Sequence, residues 1–189
     1  MKKITFVFLS FFVAVLLPAQ TFSWDITFLK GMERESIPIS RIVRMETGET
    51  FLFTITPATN SFCYVIIYDS ARKVFVLHDQ PLRGGEEILF GPLRLDGTPG
   101  TETLYVIMSV EREVMLENLI QAHRNNPHSQ QHSDNVHREI IRLQSTASEL
   151  GEPASAFIPS GGTTRSTTQE YTTRFSGRSM YVRPIVIRH

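Results

Sequence analysis

One cysteine, Cys63, stands in the 189 residues. No intramolecular disulfide is available, so an exported domain of this chain must be held by its apolar core alone. A charge of one sign is also lacking, since 19 Lys and Arg face 19 Asp and Glu. Without Lys2 and Lys3, which belong to the N-terminal stretch discussed below, the count is 17 against 19, a net of −2. That balance offers no electrostatic basis for binding nucleic acid or an anionic membrane surface. Beyond Leu17 no apolar run reaches the roughly 20 residues a spanning helix needs, so no transmembrane segment is expected in the mature chain. Sequence signatures of catalysis are absent too: there is no GxSxG, no GxxxxGK phosphate loop, no dinucleotide fingerprint, no calcium loop, no HExxH and no paired CxxC. A non-enzymatic chain that carries no cofactor is the expectation.

What is present begins with a targeting pattern. Lys2-Lys3 precede the apolar stretch Ile4 to Leu17, broken only by Thr5 and Ser10, and small residues follow at Ala19 and Ser23. This reads as a secretory signal peptide over residues 1–19, with 23 as the latest cleavage point. No cysteine follows the apolar stretch to take a lipid, so the expected location is periplasmic or secreted.

A β-sandwich domain is expected over 24–121, ending in a short helix. Glu49 to Thr56 alternates, with Phe51, Phe53 and Ile55 on one face, the period-2 pattern of a half-buried strand. Phe62 to Tyr68 and Leu104 to Val110 are apolar on both faces, as strands covered from two sides would be. Val74 to His78 and Ile88 to Phe90 lie between them, separated by turns rich in Gly, Pro and Asp. Short strands at this spacing, with no helical crossovers, argue for an antiparallel sandwich, Ig-like or a small barrel.

From Glu111 the period becomes helical, with Met115, Leu119 and Ala122 on one stripe. Residues 122–168 are expected to hold a polar loop from His123 to Asn135, an amphipathic helix over 135–150 carrying Val136, Ile140, Leu143, Ala147 and Leu150, and a Ser/Thr/Gly/Pro linker. Ser133 or Asp134 can cap that helix and Gly151 can end it. Residues 169–189 read as a C-terminal β-hairpin, with Pro184 placing its last strand at an edge or bulge. An isolated hairpin is marginally stable in water, so completion of the sandwich is favoured over a separate flap. The fold expected is therefore mainly β, a sandwich with a two-helix insertion before a C-terminal strand pair.

Three sets of side chains are candidates for chemistry. His123, His128, His132 and His137 are four of the six histidines, and exported imidazole-rich segments can hold zinc, copper or nickel. His128 and His132 could share a helix face, with His137 as a third ligand, but Pro127 and the polar surroundings favour a solvated loop, so no metal is expected. Cys63 with His78 and Asp79 could suggest a nucleophile, yet a thiol between Phe62 and Tyr64 in a buried strand is expected to be inert packing. Asp69, Asp79, Glu86, Glu87 and Asp96 could line one rim as paired carboxylates for hydrolysis or calcium; turn chemistry explains them more simply.

The residues Gly48-Glu49, Cys63-Tyr64-Val65-Ile66-Ile67-Tyr68-Asp69, Leu77, Leu82, Gly85 and Gly100-Thr101-Glu102-Thr103-Leu104-Tyr105-Val106-Ile107 occur in an order and spacing that resembles the bacterial domain of unknown function 4384, over about 45–112. His78-Asp79-Gln80-Pro81 departs from the Phe-Pro-Asn type of turn in that family. The resemblance implies a β-rich module of exported bacterial proteins and carries no catalytic residues. The function expected is an exported, non-enzymatic module that binds a protein or glycan of the bacterial envelope. The alternatives are an exported hydrolase using loop carboxylates and a periplasmic metal-binding protein using the segment from His123 to His137.

Overall fold

The computed structural model describes residues 22–31, 33–39, 42–95, 99–147 and 171–189, together with the backbone of 154–157. The elements in chain order are β1 (Phe22–Lys30), β2 (Glu35–Ser36), β3 (Val43–Arg44), β4 (Thr50–Pro57), β5 (Ser61–Tyr68), β6 (Val74–Leu82), β7 (Ile88–Arg94), β8 (Thr101–Ser109), α1 (Val114–Asn125), α2 (Gln130–Thr146), β9 (Ala154–Phe157), β10 (Tyr171–Gly177) and β11 (Met180–Arg188). One sheet has the order β7-β4-β1-β10-β9, with β2 also paired to β1; the other has the order β3-β11-β8-β5-β6. All ladders are antiparallel except the two-residue β3–β11 pair. These are two open sheets, so the sandwich is the arrangement found rather than a closed barrel.

Period-2 alternation builds the core between the sheets. Phe22, Trp24, Ile26 and Phe28 of β1 and Phe51, Phe53 and Ile55 of β4 point inward, where they meet Cys63 and Val65 of β5 and Leu104, Val106 and Met108 of β8. The rings form an offset ladder, with Phe28 and Phe51 centroids 5.1 Å apart and Phe53 and Phe90 4.7 Å apart. Stacked pairs at such separations contribute beyond their buried area. The aromatic alternation of β1 is as legible as that of β4, but β1 overlaps Ser23, one of the small residues that mark the cleavage region. The sandwich accordingly begins at Phe22 rather than at 24.

A second core explains why β5 and β8 are apolar on both faces. Tyr64, Ile66, Tyr105 and Ile107 point away from the sandwich and are covered by Leu116 and Ile120 of α1 and Val136, Ile140 and Leu143 of α2. The helices therefore form a third layer on the outer face of the β8-containing sheet. Leu116, Ile120 and His123 are the buried stripe of α1, one position beyond the Met115, Leu119 and Ala122 stripe read from the sequence. Both stripes have helical spacing, and only docking on the sheet selects between them; Met115 stays 60% exposed. The Val136, Ile140 and Leu143 stripe of α2 is buried as expected.

Three boundaries are corrected. The expected polar loop shrinks to a four-residue connection between Asn125 and Gln130, because Ser129 caps α2 by accepting a hydrogen bond from the His132 backbone N–H. Helix α2 thus starts at Gln130 rather than 135 and ends at Thr146; Leu150 and Gly151 lie outside the described residues. Within the expected linker, Ala154–Phe157 forms β9, which pairs with β10 and makes the outer edge of its sheet. The terminal strands β10 and β11 do complete the sandwich, but by entering different sheets, β10 beside β1 and β11 beside β8, rather than as a mutually paired hairpin. Gly177 sits at this crossing, where a Cβ would come within 3.1 Å of the Phe22 ring. Pro184 is tolerated because β3 reaches only Ile187 and Arg188, so β11 is a local edge at the proline. The expected signal peptide, residues 1–19, lies outside the described residues, as does the rest of the linker.

Candidate binding cleft between β6 and α1

The end of β6 lies beside α1, with Arg112 just ahead of the helix start. The open cleft between them, of about 560 Å³, is lined by Phe62, Asp79, Gln80, Pro81, Arg112, Glu117, Asn118, Gln121 and Arg124. Its size is in the range of small-ligand sites, but its walls are far more polar than usual.

Two ion pairs organise it. Arg124 of α1 reaches down to Asp79 of β6 in a two-pronged contact, 2.7 Å and 3.0 Å. Gln80 Nε2 donates to the same carboxylate at 3.3 Å. Burial pushes the Asp79 carboxyl up, but these hydrogen bonds outweigh it and hold the group below the usual carboxylate range. Arg112 grips both oxygens of Glu117 through Nε and a terminal nitrogen. That grip, opposed by burial and assisted by Tyr64, holds Glu117 below its ordinary value as well.

Tyr64 ties the pair to the core. Its hydroxyl donates to Glu117 Oε1 at 2.8 Å and accepts from the Glu113 backbone N–H at 2.9 Å. The Glu113 side chain accepts from the Ser109 hydroxyl at 3.1 Å instead of capping the helix. A buried tyrosine thus satisfies one of the orphan N–H groups at the start of α1. Burial raises its hydroxyl above the ordinary tyrosine range, so Tyr64 is a fixed donor.

The sequence candidates separate. Of the loop carboxylates among the described residues, Asp79 alone joins the cleft. Asp69 accepts the Lys73 backbone N–H at 2.6 Å, closing the β5–β6 turn; Glu86 and Glu87 are exposed on the next turn, and Asp96 lies outside the described residues. The second cleft carboxylate, Glu117, lies in the first turn of α1, and the sequence holds no signal pairing it with Asp79 across 38 positions. Both carboxyls are held ionised by arginines, so neither is a proton donor near neutral pH, which paired-carboxylate hydrolysis requires of one member.

The histidines do not converge. His123 is buried and lies with Nε2 3.0 Å from the Val74 carbonyl, joining α1 to β6. His137 stacks on Tyr68 at 3.8 Å, with Nε2 3.1 Å from the Tyr105 hydroxyl. Burial first, and then Arg72, lower its basicity against the opposing charge of Asp134. His128 is exposed before the α2 cap and His132 half-buried after it, so the two do not share a helical face. Among the described residues no three His, Cys, Asp or Glu side chains are placed to hold a metal ion. Cys63 is fully buried, and burial pushes its thiol up to about 12. His78 is engaged with the Gln80 carbonyl at 3.0 Å.

A second depression of about 520 Å³ lies between the helices, lined by Met115, Leu119, Asn135, Arg138, Glu139 and Arg142. Its apolar lining is Met115 and Leu119, two of the three residues of the Met115, Leu119 and Ala122 stripe. No helix among the described residues is long and apolar enough to cross a membrane.

The chain matches no family model, no curated protein and no solved structure with which it was compared.

Proposed function

We propose that the chain is an exported, non-enzymatic binding module of the bacterial envelope that engages its partner through the cleft between β6 and α1. The cleft itself carries this reading: four charged side chains cancel in two bidentate ion pairs that fix its walls, with the carboxamides of Gln80, Asn118 and Gln121 around them. Such a surface is arranged for recognition, because affinity is gained when binding groups need no reordering. Two carboxylates that are both held ionised, with no carboxylic acid to protonate a leaving group, argue against the hydrolase alternative, and the scattered histidines argue against the metal-handling one. The resemblance to domain 4384 over about 45–112 belongs to this proposal, while the cleft residues Asp79, Gln80 and Pro81 stand where the chain departs from that family's turn. Export rests on the Lys2-Lys3 and Ile4 to Leu17 pattern. Cleavage after Ala19 fits that reading best, since it leaves β1 whole.

The test has two arms. The chain produced with its N-terminal stretch in a two-membrane bacterium is expected in the periplasmic or extracellular fraction, with a mature N-terminus at Gln20 by mass spectrometry. The purified mature chain is expected to co-sediment with isolated cell-wall and outer-membrane material, and Gln121→Trp, which fills the cleft from an exposed helical position, is expected to abolish this. Cytoplasmic retention, or retention on the envelope unchanged by Gln121→Trp, overturns the proposal. So does turnover of a glycan or peptide substrate that disappears in Asp79→Asn or Glu117→Gln.

A further inference from the structure

We propose that the cleft between β6 and α1 recognises a neutral carbohydrate, an inference that rests on the binding reading above. The first argument is charge. Asp79 and Glu117 are matched by Arg124 and Arg112 in bidentate pairs, so an ionic ligand would meet no uncompensated charge and would have to break a formed pair to create one. A neutral ligand keeps both pairs intact.

The second argument is the supply of hydrogen-bonding groups. Asn118 is exposed on α1, and its carboxamide has no protein partner among the described residues. Gln121 donates one N–H to Asn125 Oδ1 at 3.2 Å, leaving its carbonyl and second N–H to the cleft. Gln80 uses one N–H on Asp79 and keeps its oxygen. Carboxamides offer a donor and an acceptor side by side, and so does each sugar hydroxyl, whereas carboxylates only accept and guanidinium groups only donate. Adjacent hydroxyls on a sugar ring suit such mixed planar groups, and Phe62 and Pro81 supply an apolar edge for the C–H face of the ring.

The third argument distinguishes a sugar from a peptide, which is also neutral along its backbone. A peptide would bind here most readily by adding a strand to the β6 edge, since β6 is the outermost strand of its sheet. At the cleft that edge is interrupted: the Gln80 carbonyl and the Pro81 nitrogen share one peptide unit and point to opposite sides of β6, so the free edge there presents either a carbonyl already paired with the His78 ring at 3.0 Å or a nitrogen with no hydrogen. Side chains are the recognition groups this end of β6 has left. The depression between α1 and α2 offers a single carboxamide, Asn135, whose oxygen faces Arg138 at 3.5 Å, and suits a sugar poorly.

The mature chain, labelled with 15N, is titrated to about 20 mM with chitotriose, maltotriose, cellotriose and xylotriose, and separately with trialanine; an open cleft implies a Kd on the order of 0.1–5 mM. At least one sugar is expected to shift the side-chain carboxamide signals of Gln80, Asn118 and Gln121. Asn118→Ala and Gln121→Ala are each expected to weaken that sugar about three- to tenfold, the loss of one ordinary hydrogen bond. Both positions are exposed, so the variants retain the fold, which an unchanged remainder of the spectrum verifies. Silence toward all four sugars, or shifts that persist in the double variant, overturns the inference. Trialanine shifting β6 amides in preference to any sugar overturns it in favour of a peptide. Envelope binding that is lost with Gln121→Trp while no sugar binds would leave the binding module standing and remove only the carbohydrate; absence of both removes both.

Discussion

Replacing Tyr64 by Phe tests whether the polar anchor beneath α1 is as important as its geometry implies. The substitution removes one oxygen from a residue that is 0% exposed, and the ring stays in the second core. Two hydrogen bonds go with it: the 2.8 Å bond to ionised Glu117 and the 2.9 Å bond from the Glu113 N–H. A bond to a charged acceptor contributes about 1.5–3 kcal/mol when desolvated. Water reaches Glu117, whose side chain is 18% exposed, and Arg112 still holds it, so its share falls to about 1 kcal/mol. The helix-start N–H left without an acceptor adds about 1 kcal/mol. The expected loss is about 2 kcal/mol, or about 4–8 °C in Tm for a chain of this length. Urea denaturation should show the midpoint falling with the slope unchanged, and amide exchange should quicken at the start of α1 before it does in β5. The sign with pH follows from Glu117: its folded value lies below the ordinary 4.5, so its contribution is full above that value and is lost as pH falls through the folded one. The Tyr64→Phe penalty should therefore shrink as pH falls below 4.5 and through the lower folded value. A loss under about 0.5 kcal/mol at pH 7, with α1 exchange unaltered, would refute the reasoning.

The native Cys63 thiol is expected to resist alkylation at pH 8 and to react fully in urea, because its thiol is pushed up to about 12 in the fold; rapid labelling of the native chain would contradict its placement. His137 favours its neutral form when folded, so part of the stability is present above its ordinary value of 6.5 and is lost as pH falls through the lower folded value; His137→Gln should flatten that acid limb in urea titrations, and an unchanged limb counts against it. A chain beginning at Trp24 lacks Phe22, which is 3% exposed and stacks on Trp24 at 5.2 Å, and should be about 2 kcal/mol less stable than one beginning at Gln20; equal denaturation midpoints would show that β1 begins later.

Legibility in this chain follows the range of the interaction. The two-faced apolar pattern of β5 announced a strand buried on both sides, and the reason is a local one: side chains alternate across a strand, so both coverings leave a mark within eight residues. The α2 stripe was legible for the same reason. The α1 stripe was not, because Met115, Leu119 and Ala122 and the neighbouring Leu116, Ile120 and His123 both satisfy a helical period. The separate surroundings of the histidines were not legible for a related reason. Closeness along the chain suggested a cluster, whereas in the fold His123 turns to β6, His137 to Tyr68 and Tyr105, and His128 stays exposed.

Sequence alone determined the β-rich class, the strands at the centre, the two helices before the terminal strands, and the inert setting of Cys63, because each depends on side-chain periodicity within a short segment. Tertiary structure alone decided that β10 and β11 part into separate sheets and that the helices form a third layer. It also decided that Asp79, Gln80, Arg112, Glu117 and Arg124 meet in one cleft. Those outcomes depend on pairings between distant segments and on which of two equivalent stripes finds a surface to bury against, and no window of local sequence contains that choice.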